Sequence, residues 1–498
     1  MALCKVSFPQ GKSIEVKSGT SLLEAAALAG IIIDAPCGGH GTCKKCKIKI
    51  AGKEALACQT KVNSDLKVRV PQQSKPRILR LLRANRENPH GAVIDLGTTT
   101  LAISLLDLKS KKEIAFISFN NPQAILGADV ISRISYALEK KEGLDRLNSL
   151  VIRALEEMLR ELLMVSALSS KSLRKIMIAG NAPMQHILLK ESVETLSRAP
   201  FAPRIKKAYK GKAKTLGFEN FGDVKIFIFP NIAGFVGGDA LADIIKSKIY
   251  KTSEISLLLD IGTNTEIVLG NSDRLLCASA AAGPALEGAR ISMGMRAETG
   301  AIDKVFVREG NFSFSTISND SPVGICGSGL VDAVAASLDL GLIDYTGRIK
   351  KGNKIKISKS ISLTQGDIRE LQLAKGAIAS GIEILIKEYG IKKEDIKTIF
   401  LAGAFGNYLN PESALRIGMV PEISSAKIVP VEDAVLEGAK EILFSRKNER
   451  IISELPHKVK HIDLSSHPDF QEKFIKALNF SREAPHMNEK KSPGISFL

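Results

Sequence analysis

Residues 91–104 read Gly91-Ala-Val-Ile-Asp-Leu-Gly-Thr-Thr-Thr-Leu-Ala-Ile-Ser104, and residues 257–269 read Leu257-Leu-Leu-Asp-Ile-Gly-Thr-Asn-Thr-Glu-Ile-Val-Leu269. Both stretches place Asp-x-Gly-Thr-x-Thr between two apolar strands, and the two aspartates lie 165 residues apart. A second echo is a pair of apolar strands that end in Ala-Gly, Ile176-Met-Ile-Ala-Gly180 and Ile399-Phe-Leu-Ala-Gly403. The repeats predict a duplicated fold in which each half begins with an Asp-Gly-Thr hairpin.

Each Asp-x-Gly-Thr turn suits a phosphate group. Glycine lets the backbone come close, N–H groups and threonine hydroxyls donate to phosphate oxygens, and the aspartate holds Mg²⁺ directly or through water. One such tripeptide is weak evidence because it is common in hairpins, but two in a duplicated pattern predict a clamp on a nucleotide. The candidate residues are Asp95 and Asp260 for Mg²⁺ and water, and Gly97, Thr98, Thr99, Gly262, Thr263, Asn264, Gly403 and Gly406 for the nucleotide.

Two other kinds of nucleotide-binding motif are missing from the sequence. No Gly-x4-Gly-Lys-Ser/Thr run occurs, and no Gly-x-Gly-x-x-Gly follows a strand into a helix. A P-loop ATPase and a nicotinamide enzyme are therefore disfavoured.

Four cysteines near the start of the chain have the spacing of an iron–sulfur site. The run Cys37-Gly-Gly-His-Gly-Thr-Cys43-Lys-Lys-Cys46, completed by Cys58, is close to the C-x4-C-x2-C…C pattern that ligates a 2Fe–2S cluster. The glycines let a tight loop aim its N–H groups at the sulfurs. A Cys4 zinc site is the alternative, although zinc sites more often show two separate C-x2-C pairs. His40 does not indicate a Rieske centre, which needs two histidines in place of two cysteines.

The segments around these cysteines predict a small mixed domain. Alternating residues predict short strands, and Ser21-Leu-Leu-Glu is a capping box that opens a helix running to Leu28 and ending at Gly30. The predicted strands are Lys5–Phe8, Ser13–Val16, Cys46–Ile50 and Leu66–Val70. This order resembles the β-grasp fold of the plant- and adrenodoxin-type ferredoxins, over residues 1 to about 72.

The chain length and the number of cysteines limit the possible number of domains and the cellular compartment. A chain of 498 residues predicts about three domains. It has no apolar run near the ~18 residues of a membrane span, and its start lacks the apolar stretch of a signal peptide. Seven cysteines, four of them assigned to a metal, indicate a reducing cytoplasm. We expect the other three, Cys4, Cys277 and Cys326, to be buried as small apolar residues.

The formal net charge of +17 leaves two interpretations open. Basic residues concentrate in 75–86, 204–214 and 350–359, which fits solvated surface as well as a surface that attracts an acidic protein. Nucleic acid is disfavoured because aromatic residues make up only 5% of the chain, tryptophan is absent and no nucleic-acid motif is recognisable.

The Asp-Gly-Thr pair and the Gly403-Ala-Phe-Gly406 loop resemble the actin, sugar-kinase and Hsp70 ATPase superfamily. The order of ferredoxin, linker and ATPase body resembles the reductive activators of corrinoid proteins, nearly end to end. Further matching segments are Asn121-Pro-Gln, Gly127-Ala-Asp-Val-Ile-Ser-Arg-Ile134, Pro230-Asn-Ile-Ala-Gly-Phe-Val-Gly-Gly-Asp239, Ala282-Gly-Pro-Ala-Leu-Glu-Gly-Ala289, Ile325-Cys-Gly-Ser-Gly-Leu330, Asp367-Ile-Arg-Glu-Leu-Gln-Leu-Ala-Lys-Gly376 and His467-Pro-Asp-Phe470.

The resemblance implies a multidomain α+β and α/β protein. Its parts are a β-grasp 2Fe–2S ferredoxin followed by a duplicated RNase H-like ATPase of that superfamily. The predicted domains are a ferredoxin at 1–72, a basic and partly helical linker at 73–90, ATPase halves at 91–250 and 251–485, and a C-terminal tail at 486–498.

The implied function is the repair of corrinoid methyl carriers, which work as Co(I) and are stranded by oxidation as Co(II). The activator takes one electron at a time from a low-potential donor onto its 2Fe–2S cluster and passes it to the cobalt. A plant-type cluster lies near about −400 mV, and the resemblance places the Co(II)/Co(I) couple lower, so ATP with Mg²⁺ must drive the transfer through coupling. We also expect a cytoplasmic homodimer whose partner is a corrinoid protein (iron–sulfur or methyltransferase-associated), with no membrane or nucleic-acid partner.

The sequence departs from this family pattern in four places. Lys44-Lys45 replaces the usual Gly-Lys before Cys46, which changes the surroundings of the cluster. Asn181-Ala-Pro-Met replaces an Asn-Thr-Thr-Met-like run, which removes hydroxyl groups there. The linker is shorter than in the best-known members, and no cysteine follows Cys326, so a C-terminal 4Fe–4S extension is not expected.

Other function classes stay open at this point. Activators of 2-hydroxyacyl-CoA dehydratases build a 4Fe–4S cluster from ATPase-body cysteines, which would recruit Cys277 and Cys326 and leave the N-terminal cysteines without a purpose. A redox-sensing regulator would bind nucleotide without turnover, so steady ATP hydrolysis distinguishes it from an enzyme. A small-molecule kinase is disfavoured because nothing in the sequence suggests a substrate pocket.

Overall fold

The computed structural model describes residues 2–31, 33, 35, 39, 41, 46–70, 77–406, 408–423, 426–445 and 448–481. The chain divides into two compact units. Unit 1 comprises Met1–Tyr250 with Asp433–His461, and unit 2 comprises Lys251–Glu432 with Ile462–Leu498. Residues 433–461 therefore pack with unit 1, although they follow the second Asp-Gly-Thr turn in the chain.

The described residues form short strands and helices in alternation. The strands are β1 (Leu3–Ser7), β2 (Ser13–Lys17), β3 (Lys47–Ile50), β4 (Lys53–Leu56), β5 (Leu66–Arg69), β6 (Arg77–Leu81), β7 (His90–Leu96), β8 (Thr100–Asp107), β9 (Glu113–Asn120), β10 (Leu173–Gly180), β11 (Tyr209–Lys212), β12 (Lys225–Ile228), β13 (Ser256–Ile261), β14 (Thr265–Gly270), β15 (Leu275–Ala280), β16 (Ala301–Arg308), β17 (Asn311–Thr316), β18 (Gly324–Ile325), β19 (Lys354–Lys356), β20 (Ser362–Thr364), β21 (Thr398–Ala402), β22 (Lys427–Pro430) and β23 (Val459–His461). The helices are α1 (Leu22–Leu28), α2 (Val130–Glu139), α3 (Gly143–Val165), α4 (Ala182–Leu188), α5 (Gly238–Ser247), α6 (Gly327–Asp339), α7 (Gln365–Tyr389), α8 (Gly403–Gly406), α9 (Pro411–Arg416), α10 (Ala434–Leu443), α11 (Asn448–Lys458) and α12 (Phe470–Ala477).

The N-terminal module is a five-stranded mixed sheet in the order β2-β1-β5-β3-β4, with helix α1 packed against it. Strand β1 is antiparallel to β2 and parallel to β5. Ser21 begins α1 as predicted, and its hydroxyl accepts from the backbone N–H of Glu24 at 3.2 Å. Apolar side chains that alternate along the strands, such as Val6 and Ile48, are fully buried. The predicted β-grasp arrangement is confirmed.

The N-terminal module contacts helix α3 of the same unit. The guanidinium of Arg146 pairs with Glu24, and Arg153 donates to the carbonyl of Leu28 at 2.6 Å. Ile125, in the short 3-10 turn Pro122–Ile125, packs against the core of the module. Three contacts of different kinds thus join the module to the body of unit 1.

The stretch between module and body contains a strand where a partly helical linker was expected. Strand β6 pairs antiparallel with β9, and Ile78 packs against the core while Arg80 contacts Glu113 and the ring of Phe116. The ladder is irregular between Ile78 and Arg80, and Leu79 and Leu81 are exposed, so the pairing with β9 and not a regular alternation of side chains defines this strand. The helical expectation for this segment was wrong, and residues 71–76 lie outside the described part of the chain.

The body of unit 1 is a seven-stranded sheet in the order β11-β12-β10-β7-β8-β9-β6. Strands β10 and β12 run parallel to β7, whereas β8 and β9 form an antiparallel meander with it. Helix α3 lays a stripe of buried residues against this sheet, including Leu147, Val151 and Leu155. The stripe and the apolar centre of β7 together make the core.

Unit 2 repeats this topology. Five of its strands follow the order β22-β21-β13-β14-β15, with β21 parallel to β13 and β14 antiparallel to it. The equivalent strands of unit 1 are β12-β10-β7-β8-β9 in the same order and directions. Both Asp-Gly-Thr turns are therefore hairpin connections beside a parallel strand that ends in Ala-Gly, and the predicted duplication is confirmed. A search of the described helices found none long and apolar enough to cross a membrane.

Candidate functional sites

The structure brings two of the four predicted cluster ligands together. Cys46 precedes β3 and Cys58 follows β4, and both thiols are buried. Their sulfur atoms lie 3.3 Å apart, much longer than the ~2.05 Å of a disulfide bond. Cys37 and Cys43 lie outside the described residues, so the four-cysteine ligand set stays a prediction.

Gln59 supports this site, and the sequence interpretation did not include it. Its Nε2 donates to the carbonyl of Gly39 at 3.3 Å and to the sulfur of Cys58 at 3.6 Å. Gly39 lies in the cysteine loop, so one side chain connects the loop to a predicted ligand. Hydrogen bonds to ligand sulfurs tune iron–sulfur sites. The only signal in the sequence is that Gln59 follows Cys58 directly.

The first Asp-Gly-Thr turn joins β7 to β8. Asp95 is half-buried near the end of β7, opposite Ala102 of β8 and Ala179 of β10. Gly97, Thr98 and Thr99 form the connection. A Cβ atom on Gly97 would lie 2.3 Å from the carbonyl oxygen of Thr100, so only glycine fits this tight turn.

Three side chains hold this first turn, and none was among the predicted site residues. Asn121 donates from Nδ2 to the carbonyl of Gly97 at 2.9 Å and from its backbone N–H to that of Thr99 at 2.8 Å. Arg133 donates from Nη2 to the carbonyl of Thr98 at 2.7 Å. Asn181, which the family's Asn-Thr-Thr-Met-like run shares, donates to the Thr98 hydroxyl at 2.8 Å. Two of the three lie in segments that carried the family resemblance.

Arg133 is a fully buried cation. Its other donors reach the carbonyl of Gly127 at 2.9 Å and Oε1 of Gln123 at 3.1 Å. Burial lowers the pKa of Arg133 to about 9, against an opposing effect of Asp129. Nη1 also donates to the sulfur of Met184 at 3.1 Å, so all four acceptors, in Thr98, Gly127, Gln123 and Met184, are uncharged. The turn thus rests on a guanidinium that no carboxylate of the described residues meets in a hydrogen bond.

The second Asp-Gly-Thr turn joins β13 to β14. Asp260 is half-buried at the end of β13, and Gly262, Thr263 and Asn264 form the connection. The Thr263 hydroxyl donates to Oε1 of Glu287 at 2.7 Å, and the backbone N–H of Gly283 donates to the Thr263 carbonyl at 2.9 Å. Glu287 was not predicted as a site residue.

Gly403 lies against the second turn, as its place in the repeat implies. It has a φ of +84°, and a Cβ there would lie 2.4 Å from Oδ1 of Asp260 and 2.7 Å from the carbonyl of Ile261. Gly406 ends helix α8 and instead approaches the backbone of Leu401. The structure therefore brings Gly403, but not Gly406, against the aspartate.

No preformed metal cage exists among the described residues, which hold no group of three or more histidine, cysteine or acidic side chains arranged for a metal. Mg²⁺ keeps several waters and is usually held by one or two carboxylates and the phosphates of a nucleotide. Asp95 and Asp260, each half-buried beside its turn, are adequate ligands of that kind.

The body cysteines do not have the environment of cluster ligands. Cys277 lies in β15, where burial raises the pKa of its thiol far above the ordinary value. Cys326 is buried before α6, and its thiol donates to the carbonyl of Ile302 at 3.3 Å. Both thiols are thus enclosed by their own fold, which disfavours the dehydratase-activator alternative. Cys4, Cys277 and Cys326 are all buried, as expected.

Family models match three consecutive segments. Residues 7–63 match a 2Fe–2S iron–sulfur cluster binding domain, residues 90–252 the RACo middle region, and residues 254–491 the C-terminal domain of RACo, described as the ASKHA domain. The three matches follow one another in the predicted order of ferredoxin and ATPase body.

Similar proteins cover most of the chain. The corrinoid activation enzyme RamQ of Eubacterium limosum is 30% identical over 95% of this chain and 98% of its own length. The [Co(II) methylated amine-specific corrinoid protein] reductase of Methanosarcina barkeri is 27% identical over 78% of this chain and 77% of its own length. A solved structure described as a reductive activator for a corrinoid, iron–sulfur protein matches with a TM-score of 0.73 and 28% identity, over 96% of this chain and 98% of that one.

Proposed function

The chain belongs to the family of reductive activators of corrinoid proteins, and on that premise we propose that it is an ATP-dependent activator of a corrinoid methyl-carrier protein. It passes one electron from an N-terminal 2Fe–2S cluster to the Co(II) cobalamin of the partner and so regenerates Co(I). The observation that carries the proposal is the similarity to RamQ over 95% of this chain, because it includes the cysteine loop and both Asp-Gly-Thr turns.

The N-terminal module holds the cluster through Cys37, Cys43, Cys46 and Cys58 in this proposal. A 2Fe–2S cluster bound there supplies a carrier for one electron at a time. The convergence of the Cys46 and Cys58 sulfurs at 3.3 Å supports the ligand set. Gln59 donates a hydrogen bond to the Cys58 sulfur, which stabilises negative charge on it and fixes its position.

The duplicated body binds ATP with Mg²⁺ in this proposal. The backbone and hydroxyl groups of Gly97–Thr99 and Gly262–Asn264 contact the phosphates. Asp95 and Asp260 hold the metal and its waters, since each carboxylate lies directly before its turn. Gly403 and Gly406 present backbone to the nucleoside in this proposal, and the contact of Gly403 with Asp260 supports a place for Gly403 beside the second turn.

ATP drives an unfavourable electron transfer by changing what the protein binds. If hydrolysis alters the relative affinity for the Co(II) and Co(I) forms of the partner, the difference in binding free energy offsets the difference in potential. The electron donor, a homodimeric state and a cytoplasmic location stay predictions from the family resemblance.

The test is reduction of an isolated corrinoid protein in the Co(II) state. The full-length chain, a low-potential reductant and MgATP are added, and we expect the absorption band of Co(I) to appear. Omission of ATP and the variant Cys58→Ser are the controls, and neither should give Co(I). Equal reduction without ATP would contradict an ATP-driven activator and favour a redox regulator, and no Co(I) under any condition would contradict the activator itself.

A further inference from the structure

We propose that Asn121 and Arg133 are positioning residues that make the Gly97–Thr99 loop the stronger anion binder of the two phosphate-contacting loops, and that the Gly262–Asn264 loop has no equivalent support. The proposal rests on the proposed function, which treats the two loops alike. Their sequences are nearly the same, but their hydrogen-bond partners carry opposite charge.

The carbonyl groups of the first loop decide where its N–H groups point. A trans peptide group directs its C=O and its N–H to opposite sides. The Gly97 carbonyl shares a peptide group with the Thr98 N–H, and the Thr98 carbonyl shares one with the Thr99 N–H. Because Asn121 and Arg133 hold these two carbonyls, both N–H groups are directed to the opposite side of the loop. Successive N–H groups on one side of a loop make an anion-binding concavity.

The two asparagine amides have a defined orientation. Oδ1 of Asn121 accepts from the N–H of Gln123, and Oδ1 of Asn181 accepts from the N–H of Met184, both at 3.0 Å. Each Nδ2 is therefore the atom that meets the loop. The Thr98 hydroxyl accepts from Asn181, so its own proton is left for another acceptor. A phosphate oxygen is an acceptor of that kind.

The charge of Arg133 also favours a phosphate beside the first loop. A buried cation without a hydrogen-bonded anion is costly, and the acceptors of Arg133, in Thr98, Gly127, Gln123 and Met184, are all uncharged. A phosphate on the far side of the loop adds to the negative charge of Asp129, which acts on the guanidinium without a hydrogen bond. The guanidinium also polarises the Thr98–Thr99 peptide group and strengthens its N–H as a donor.

The second loop has the opposite arrangement. The Thr263 hydroxyl donates its proton to the carboxylate of Glu287, so towards a ligand it can only accept a hydrogen bond. The Thr263 carbonyl accepts from the neutral N–H of Gly283. The charged group that holds this loop is an anion, where the first loop has a cation. The second loop therefore binds phosphate less strongly than the first, and its Thr263 hydroxyl suits the waters around Mg²⁺.

Asn121→Asp is the sharpest single change. It keeps the size of the side chain and the oxygen that accepts from Gln123, but it replaces the donor to Gly97 by an oxygen and adds negative charge. We expect the affinity of the full-length protein for ATP, measured by titration calorimetry, to fall at least about tenfold. The control is Asn85→Asp, an exposed residue of the same unit whose Oδ1 accepts from Glu87, and its affinity should stay within about twofold of wild type.

Arg133→Lys and Arg133→Met separate charge from packing. The probe is magnesium-free pyrophosphate, which has neither a base nor a metal. Arg133→Lys keeps the positive charge, so its affinity for pyrophosphate should lie between those of wild type and Arg133→Met. If the role of Arg133 is purely structural, the two variants should have equal affinities. The near-ultraviolet circular dichroism of each variant checks folding. If Arg133→Met does not fold, the role of Arg133 is judged from the pyrophosphate affinity of Arg133→Lys, compared with those of wild type and Asn121→Asp.

Thr98→Val and Thr263→Val apply the same substitution to both loops. Thr98→Val should weaken pyrophosphate binding more than Thr263→Val does. An equal loss in both variants would overturn the inequivalence of the loops, and unchanged ATP binding in Asn121→Asp would overturn the role of Asn121. A wild-type protein that binds no ATP at all would instead refute the proposed nucleotide site.

Discussion

Replacing Gly403 by alanine places a methyl group against the carboxylate of Asp260. The backbone of Gly403 has a φ of +84°, where a Cβ atom costs roughly 1–2 kcal/mol. The new methyl carbon would also lie 2.4 Å from Oδ1 of Asp260 and 2.7 Å from the carbonyl of Ile261, and overpacking of this kind costs about 1–3 kcal/mol. We therefore expect a total loss of about 2–5 kcal/mol in the free energy of unfolding of unit 2.

The matched control for this change is Gly390→Ala. Gly390 has a φ of +79° at the end of α7, and no atom lies within 4 Å of its added Cβ. This variant should lose only the backbone term of roughly 1–2 kcal/mol. Urea denaturation followed by far-ultraviolet circular dichroism measures both losses, and the visible absorption of the cluster reports on the N-terminal module separately.

The two variants should also differ in activity. Gly403→Ala must displace Asp260 or the backbone after it, so ATP hydrolysis should fall sharply, whereas Gly390→Ala should hydrolyse ATP at the wild-type rate. Equal losses of stability in the two variants, together with full ATP hydrolysis by Gly403→Ala, would refute the reasoning that only glycine fits beside Asp260.

Further changes test the two sites and one buried lysine. Gln59→Leu removes a donor to the Cys58 sulfur and should lower the cluster potential by roughly 20–60 mV in a spectroelectrochemical titration. Cys58→Ser should bleach the visible absorption but leave ATP binding unchanged in calorimetry. Asp95→Ala and Asp260→Ala should each abolish ATP hydrolysis without altering the cluster spectrum, and wild-type rates in both would show that the turns are misassigned. Burial lowers the pKa of Lys375 to about 8 from 10.5, so at alkaline pH the unfolded chain binds a proton that the folded chain lacks. The stability of wild type relative to Lys375→Met should therefore rise by about 2 kcal/mol between about pH 7.5 and pH 9.5, measured by urea denaturation.

The parts of the fold that could be predicted are those that a local pattern records. The apolar runs around Asp95 and Asp260 specify strands and turns within a few residues, and their repetition specifies the shared sheet order. Strand β6 was missed because its basic, leucine-rich sequence suits a helix as well. Only its pairing with β9 distinguishes a strand from a helix there. The deciding contact, of Ile78 with the core, is not a local property.

The supporting residues of the sites could not be predicted for a similar reason. Arg133 and Asn121 meet the first turn from positions 35 and 24 residues further along the chain, and nothing in their own neighbourhood indicates that contact. Glu287 meets Thr263 across 24 residues. Sequence spacing located the two hairpin turns, but tertiary packing decides which charge lies beneath each of them.

Strand β6 also sets how far the N-terminal module can travel. Between Val70 and the first residue of β6, Arg77, the chain has six residues, which span at most about 25 Å when fully extended. If β6 left β9, the tether would run from Val70 to His90 and reach about 70 Å. While the strand stays paired, an electron carrier on the module must meet its acceptor within the shorter radius. Once the module leaves its contacts with α3 and Ile125, the range of the carrier therefore depends on the pairing of β6 with β9, not on the 18 residues that sequence alone allots to the linker.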